Sequence, residues 1–287
     1  MWFVRFLQSF ANPILDKIAI TISLIGEDDF YLIILAVILW AFDRKLALKI
    51  HFAFYLNNIS NAWIKDTFTI PRHFGQMDIR VLNETPIGGY SFPSGHVQSL
   101  TSYMTSIMLF IGRKLFYIFG ILCIIALSLS RIYLGAHTPI DVIGGAFIAV
   151  CIVLLANKLF DFITSHKYGF LFYLAMIAIF IAVSFFITSQ RYMLSLGHIT
   201  VLFIAMFIDK KTDKFEAAKT LFGKATVILI GVPLLVLGRR YIEQFQTNMP
   251  MFYYMSGFLK SLYVLIIIPL FMLVSKLICQ RLANKKL

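Results

Sequence analysis

The constraint that most limits this chain is a run of apolar stretches, each close to the length at which a helix crosses a lipid bilayer. A hydrocarbon layer of about 30 Å asks for roughly 20 apolar residues in a helix. Nine stretches approach that length between charged or turn residues: Phe30 to Phe42, Leu46 to Ile64, Val97 to Ile111, Leu115 to Leu129, Pro139 to Leu159, Gly169 to Ile187, Tyr192 to Ile208, Ala225 to Leu237 and Gly257 to Ile278. The first is short. It either begins earlier, through Gly26 to Asp29, or leans on Ile14 to Ile25, whose Ile18, Ile22 and Ile25 spacing fits an interfacial helix. With 60% hydrophobic and 14% charged residues and a mean hydropathy of +0.83, an ordinary soluble enzyme, a disordered chain and a disulfide scaffold are all excluded. Cys123, Cys151 and Cys279 sit inside apolar runs without metal-ligand spacing, and read as buried, inert thiols. The expected fold is all-α, a polytopic membrane helix bundle.

A net charge of +12 would fit nucleic acid if it lay along one polar face, but the basic residues cluster in short segments between apolar stretches. That distribution belongs to a multi-span membrane protein, with no nucleic-acid partner. No cleavable signal peptide is expected, because Met1 to Ala11 is followed by Asn12-Pro13 rather than by a small-residue cleavage site. Counting Lys and Arg on alternate sides of the spans gives sixteen on the side of Arg44, Arg113, Lys158 and Lys210, against ten on the side of Lys65, Arg131 and Arg239. The richer side is expected in the cytoplasm. Asn83 to His96 and Arg131 to Thr138 then face outward.

Three outward segments collect unusual residues at span ends: Lys65 to His73, Ser91-Phe-Pro-Ser94-Gly95-His96, and Ser130-Arg131 through His137-Thr138-Pro139-Ile-Asp141. Singly, a Lys or Arg there is an interfacial anchor. Together, Lys65, Arg72, Arg131, His96 and His137 form a set suited to a phosphoryl group. Thr138-Pro139 has the form of an N-cap followed by proline at the first helical position, which puts His137 just outside a helix N-terminus, where the dipole favours an anion. Gly95 lets the backbone come close to a ligand, so that amides can face phosphate oxygens. Asp141 either closes a capping box with Thr138 or accepts the Nδ1 hydrogen of His137 and leaves Nε2 free to attack.

These segments resemble the three-part signature of the type 2 phosphatidic acid phosphatase superfamily, which also holds glucose-6-phosphatases and vanadium haloperoxidases. Its pattern of Lys, six residues, Arg-Pro; Pro-Ser-Gly-His; and Ser-Arg, five residues, His, three residues, Asp stands here as Lys65 to Arg72, Pro93 to His96, and Ser130, Arg131, His137 and Asp141. One departure is His73, where the family has proline; it leaves Arg72 intact but bears on the local backbone. The resemblance covers about Phe30 to Ile187. It implies a six-helix phosphatase core over 29–187, preceded by an interfacial segment at 1–28 and followed by about three further spans in 188–287. It further implies that His137 is the nucleophile, forming a phosphohistidine, that Asp141 holds its tautomer, and that His96 protonates the leaving group and later activates water. Lys65, Arg72, Arg131, the Ser94 hydroxyl and the Gly95 amide would hold the phosphoryl oxygens. Neither a metal nor another cofactor is implied.

The resulting expectation is an integral-membrane phosphatase acting on a lipid phosphate or diphosphate, at the outer face of the plasma membrane. The alternatives are a glucose-6-phosphatase-like hydrolase or phosphotransferase on a soluble ester and, from another class, an anion transporter. Transporters place such sites near the midplane and show inverted repeats, neither of which is visible. Arg239 and Arg240, on the same side as the catalytic residues, could meet the second phosphate of a diphosphate, and His198 could line a lipid path; interfacial anchoring and packing are the plainer readings. Asn57, Asn58, Ser60 and Asn61 are expected to bond neighbouring helices. The charge count predicts that a cysteine introduced near Asn83 reacts with a membrane-impermeant thiol reagent in intact cells, and one near Thr212 only after permeabilisation. The reverse pattern would put the catalytic segments in the cytoplasm.

Overall fold

In a computed structural model, the described residues are 1–72, 79–82, 89–187, 189–212, 217–245 and 249–272. Among these the regular structure is helical: α1 (Trp2–Gln8), α2 (Pro13–Ser23), α3 (Asp28–Ala41), α4 (Arg44–Phe68), α5 (Gly95–Ile111), α6 (Lys114–Tyr133), α7 (Pro139–Ser165), α8 (Gly169–Val183), α9 (Gln190–Thr212), α10 (Leu221–Glu243) and α11 (Pro250–Leu262). The last continues through a π-helical turn, Tyr263–Ile267. Each expected span coincides with one of α3 to α11, although residues 273–278 of the ninth lie outside the described residues.

Among the described residues, five helices are long and apolar enough to cross a membrane: Lys114–Tyr133, Pro139–Ser165, Gln190–Lys210, Leu221–Glu243 and Pro250–Met272. Phe30–Ala41 and Gly169–Val183 are apolar but shorter. The chain is thus a multi-pass membrane protein. The remaining two runs are helical, yet their polar content sets them apart. In α5 the side chains of Gln98, Ser99, Thr101, Ser102, Thr105 and Ser106 are all buried, as are Asn57, Asn58 and Asn61 of α4. Apolar side chains such as Leu115, Phe119 and Leu122 of α6 and Phe147 of α7 are exposed instead, as a lipid-facing surface requires. The cysteines are not buried as expected: Cys151 is exposed and Cys123 half-buried on those same two helices, whose outer faces are apolar surface rather than protein core.

The chain divides into two units, one of residues 1–31 and 56–158, the other of 32–55 and 159–287. In the first, α2 packs on α6 around Ala19, Tyr133 and Leu134, with Leu7, Ala11 and Leu82 against them. Asn12 caps α2 by accepting from the backbone N–H groups of Ile14 (3.0 Å) and Leu15 (2.9 Å). Gln8 and Asp16 fasten the 79–82 segment: Gln8 Nε2 donates to the carbonyls of Arg80 (2.7 Å) and Tyr133 (2.8 Å), and Arg80 pairs with Asp16 at 2.9 Å. Between α4 and α5, Gln98 accepts from Asn61 Nδ2 (2.6 Å) and donates to Asn57 Oδ1 (3.0 Å), while Ser99 Oγ lies 3.2 Å from Asn58 Oδ1. The asparagines expected to bond a neighbouring helix do so, Asn57 and Asn61 through Gln98 and Asn58 through Ser99.

In the second unit α9 and α11 approach backbone to backbone. A Cβ on Gly197 would meet the Tyr254 carbonyl at 2.1 Å, and one on Gly257 the Leu194 carbonyl at 2.0 Å, so only glycine fits at either place. His198 is buried there, with Nδ1 against Ser261 Oγ and its ring stacked on Tyr55 at 3.9 Å. Arg44 makes a two-pronged pair with Asp209, at 2.8 and 2.9 Å. Arg239 pairs with Glu243 at 2.7 Å, four residues on along α10.

Candidate active site in the first unit

The helix ends of the first unit build a cluster from segments far apart in sequence. At the start of α7 the expected cap forms: Thr138 N–H donates to Asp141 Oδ2 (2.8 Å), Asp141 N–H to Thr138 Oγ1 (3.3 Å), and Pro139 occupies the first helical position. The capping reading of Asp141 is thereby met, and the same Oδ2 also faces His137 Nδ1 at 3.6 Å without accepting a hydrogen bond from it. That separation is an ion-pair distance rather than a hydrogen bond, and it leaves Nε2 on the side away from the carboxylate. Asp141 Oδ2 also accepts the Ser91 hydroxyl at 2.7 Å, and the Asp141 carbonyl accepts the Ser94 N–H at 2.9 Å. One residue of α7 thereby holds the Ser91-to-His96 segment.

Close packing makes this possible. A Cβ on Gly145 would stand 2.9 Å from the Ser94 carbonyl, and one on Gly144 2.3 Å from the Phe92 ring, so the paired glycines of α7 let the segment lie directly on the helix. Ser94 is the N-cap of α5 without a side-chain capping bond, and Gly95 and His96 open the helix. First-turn amides have no carbonyl partner within their own helix. The buried Ser94 Oγ has no hydrogen-bond partner among the described residues, nor does Arg131 Nε.

The three cations are held by backbone carbonyls and by one hydroxyl. Lys65, in the last turn of α4, donates Nζ to the carbonyls of Tyr90 and Ser91. Arg72 donates Nε to Gly89 (3.1 Å) and Nη1 to Ala136 (2.9 Å), one residue before His137. Arg131, buried at the end of α6, donates Nη1 to Ser23 Oγ at 2.6 Å. His96 Nε2 lies 3.3 Å from Glu27 Oε1. Lys65, Arg72, Ser91, Ser94, His96, Arg131, His137 and Asp141 thus fall in a single unit. His73 lies outside the described residues. His198, Arg239 and Arg240 belong to the second unit, where His198 is packed inside and Arg239 is engaged by Glu243. Ser91, Ser23 and Glu27 have roles here that the sequence reading did not assign; the one signal for the last was that three of the fourteen acidic residues fall together at Glu27, Asp28 and Asp29.

Burial fixes the ionisation of the candidate nucleophile. His137 is 1% exposed, and loss of solvent, only partly offset by Asp141 and reinforced by Arg131, Arg72 and Lys65, moves its pKa from 6.5 down to about 3. Arg72 is also lowered by burial, from 12.5 to about 10, with the Asp141 charge acting against the shift; it stays charged at neutral pH. A neutral imidazole held with Nδ1 toward a carboxylate is the nucleophilic form. Because the folded value lies below the unfolded one, the folded chain loses stability relative to the unfolded one as pH falls below 6.5. In the full chain with carbon-13-labelled histidine, the signal removed by His137→Gln is therefore expected to keep its neutral-imidazole position from pH 8 down to pH 5. A midpoint near 6.5 would mean that the site does not exclude the charged form.

The sequence profile of the PAP2 superfamily matches residues 46–165. A probable sphingosine-1-phosphate phosphatase of Dictyostelium discoideum is 30% identical over 161 residues, covering 52% of this chain and 39% of that protein. Undecaprenyl-diphosphatase BcrC of Bacillus subtilis is 30% identical over 157 residues, 52% of this chain and 77% of that protein. Among solved structures, that of Aquifex aeolicus LpxE is similar with a TM-score of 0.48 and 25% identity, over 54% of this chain and 93% of its own. The chain spans less than half the length of the sphingosine-1-phosphate phosphatase and of a lipid phosphate phosphatase from Arabidopsis thaliana, of which it covers 43%. The chain belongs to the PAP2 superfamily.

Proposed function

We propose that this protein is an integral-membrane phosphatase that hydrolyses a lipid phosphate or diphosphate through a phosphohistidine on His137, at the outer face of the plasma membrane. The observation that carries the proposal is a buried His137 beside Asp141, in one unit with three cations and the first turn of α5. Nε2 of His137 attacks phosphorus, and Asp141 orients the ring and stabilises the charge that develops on it. Lys65, Arg72 and Arg131, with the Ser94 hydroxyl and the amide of Gly95, hold the phosphoryl oxygens, where charge builds in the transition state. His96 protonates the departing oxygen and then takes a proton from the attacking water. These cations supply the electrostatic stabilisation that metal ions supply in other phosphoryl transferases.

A lipid substrate is favoured by the position of the site at helix ends, with α6 and α7 presenting apolar side chains outward. A head group at the interface then reaches the cations while its chains remain in the hydrocarbon. The names of the relatives, which are phosphatases of sphingosine-1-phosphate and of undecaprenyl diphosphate, support the same substrate class. The outer-face placement rests on the Lys and Arg count of the loops.

The test is phosphate release by purified full-length protein in detergent with chelator, from phosphatidate, phosphatidylglycerol phosphate, a polyprenyl diphosphate and a sugar phosphate. The lipid substrates are expected to turn over and the sugar phosphate to lag behind. His137→Ala is expected to lower kcat by about 10⁴-fold or more, and Asp141→Asn to leave a low residual rate through a misoriented imidazole. Fastest turnover of the sugar phosphate would move the substrate to the soluble esters, and full activity in His137→Ala would remove the mechanism.

A further inference from the structure

Residues before α4 lie outside the span matched by the superfamily profile, which begins at residue 46, yet two of them reach the candidate site. Ser23 accepts from Arg131, and Glu27 Oε1 lies 3.3 Å from His96 Nε2. Between them Gly26, in the 3-10 turn Leu24–Gly26, packs closely on the His96 side chain: a Cβ on Gly26 would stand 2.4 Å from His96 Cδ2. The side chain is therefore hemmed in at Gly26 and addressed at one nitrogen by a carboxylate. His96 is mostly enclosed, at 22% exposed, and Glu27 is open to solvent.

The charges that share the first unit with His96 bear on this contact. Lys65 from α4, Arg72 from the segment after it and Arg131 from α6 are cationic; His137 is neutral, and Asp141 from α7 is committed to Ser91, Thr138 and His137. Asp28, in the first turn of α3, lies 3.4 Å from Ser99 of α5. A net positive surround drives a proton off an imidazole, whereas a carboxylate within reach of its N–H favours retention. A general acid has to keep that proton until the leaving oxygen takes it. Glu27 also interacts electrostatically with Arg131, so its charge falls on the same part of the site.

We propose that Glu27 is a positioning residue for His96: it accepts the Nε2 hydrogen, holds the imidazolium, and leaves the second proton, on Nδ1, for the leaving group. The proposal rests on the phosphatase reading above. As the His137 Nε2 lone pair forms the P–N bond, the P–O bond breaks and its electron pair takes the Nδ1 proton, which leaves His96 neutral and still bonded to Glu27. In the second half, water gives a proton to Nδ1 as its oxygen attacks phosphorus, and the P–N electrons return to His137. Glu27 gains and loses no proton in either half.

The experiment compares wild type, Glu27→Gln and Glu27→Asp of the full chain in detergent, reading leaving-group release in a single turnover from two substrates. A long-chain alkyl phosphate has a poor leaving group that needs the acid, and p-nitrophenyl phosphate has a good one that does not. Glu27→Gln is expected to slow the alkyl substrate by about tenfold or more and the aryl substrate by less than about threefold, a part of the 10²–10⁴ that general acid catalysis contributes. Glu27→Asp is expected to recover part of the loss. A loss equal for both substrates, or none for either, would overturn the proposal. A second readout does not depend on turnover: with carbon-13-labelled histidine, the signal removed by His96→Gln is expected to titrate about one pH unit lower in Glu27→Gln than in wild type. An unchanged midpoint would overturn the pairing. If wild type hydrolyses neither substrate, the phosphatase reading fails and this titration alone decides whether Glu27 governs His96.

Discussion

The first unit is organised around the carboxylate and carbonyl of Asp141. Its Oδ2 takes the Thr138 N–H that starts α7, takes the Ser91 hydroxyl, and faces His137, while its backbone carbonyl holds the Ser94 N–H at the start of α5. A buried carboxylate without partners would cost several kcal/mol and would take up a proton to escape the cost. Here two donors and a nearby guanidinium offset that penalty, and they come from three different segments. The charge can stay buried only when those segments are in place, so ionisation of the base-side carboxylate and assembly of the site are one condition.

The cations follow the same logic in reverse. Lys65 and Arg72 are tied to carbonyls of residues 89–91 and of Ala136, next to His137, so each fixes a loop while keeping its charge in the same unit as His137. Arg131 is held by Ser23, a side chain that the superfamily profile does not cover. The N-terminal residues thereby act as part of the site: α2 is packed on α6 through Ala19 and Tyr133, and that packing delivers Ser23 and Glu27 to Arg131 and His96.

What could be read from the sequence was the chemistry carried by short spacings. Thr138-Pro139 and Asp141 announce a helix start within four residues, and the structure forms the cap that they describe. The apolar runs announce helices, because nothing else satisfies the backbone in lipid. The pairings that hold the site together connect residues far apart in the chain: Ser91 to Asp141 across 50 residues, Glu27 to His96 across 69, and Ser23 to Arg131 across 108. A membrane helix apolar on most faces has little periodicity to show which side meets a partner, so these contacts had no local signature. The same reasoning accounts for Gln98, whose role as the acceptor for Asn61 and the donor to Asn57 depends on how α4 lies against α5. It also explains why the run Val97 to Ile111 stands among the apolar stretches of the sequence while α5 buries six polar side chains.

On the proposed mechanism His137 takes the phosphoryl group. The most direct measurement is to mix purified protein with a lipid phosphate labelled at phosphorus, quench in alkali within the first turnover, and locate the label by peptide mass spectrometry. An alkali-stable, acid-labile phosphohistidine is expected on the peptide containing His137, absent in His137→Ala and retained for longer in His96→Ala, where water activation is lost. Label on His96, on a serine or on a carboxylate, or turnover with no labelled protein under conditions that trap the intermediate, would contradict it.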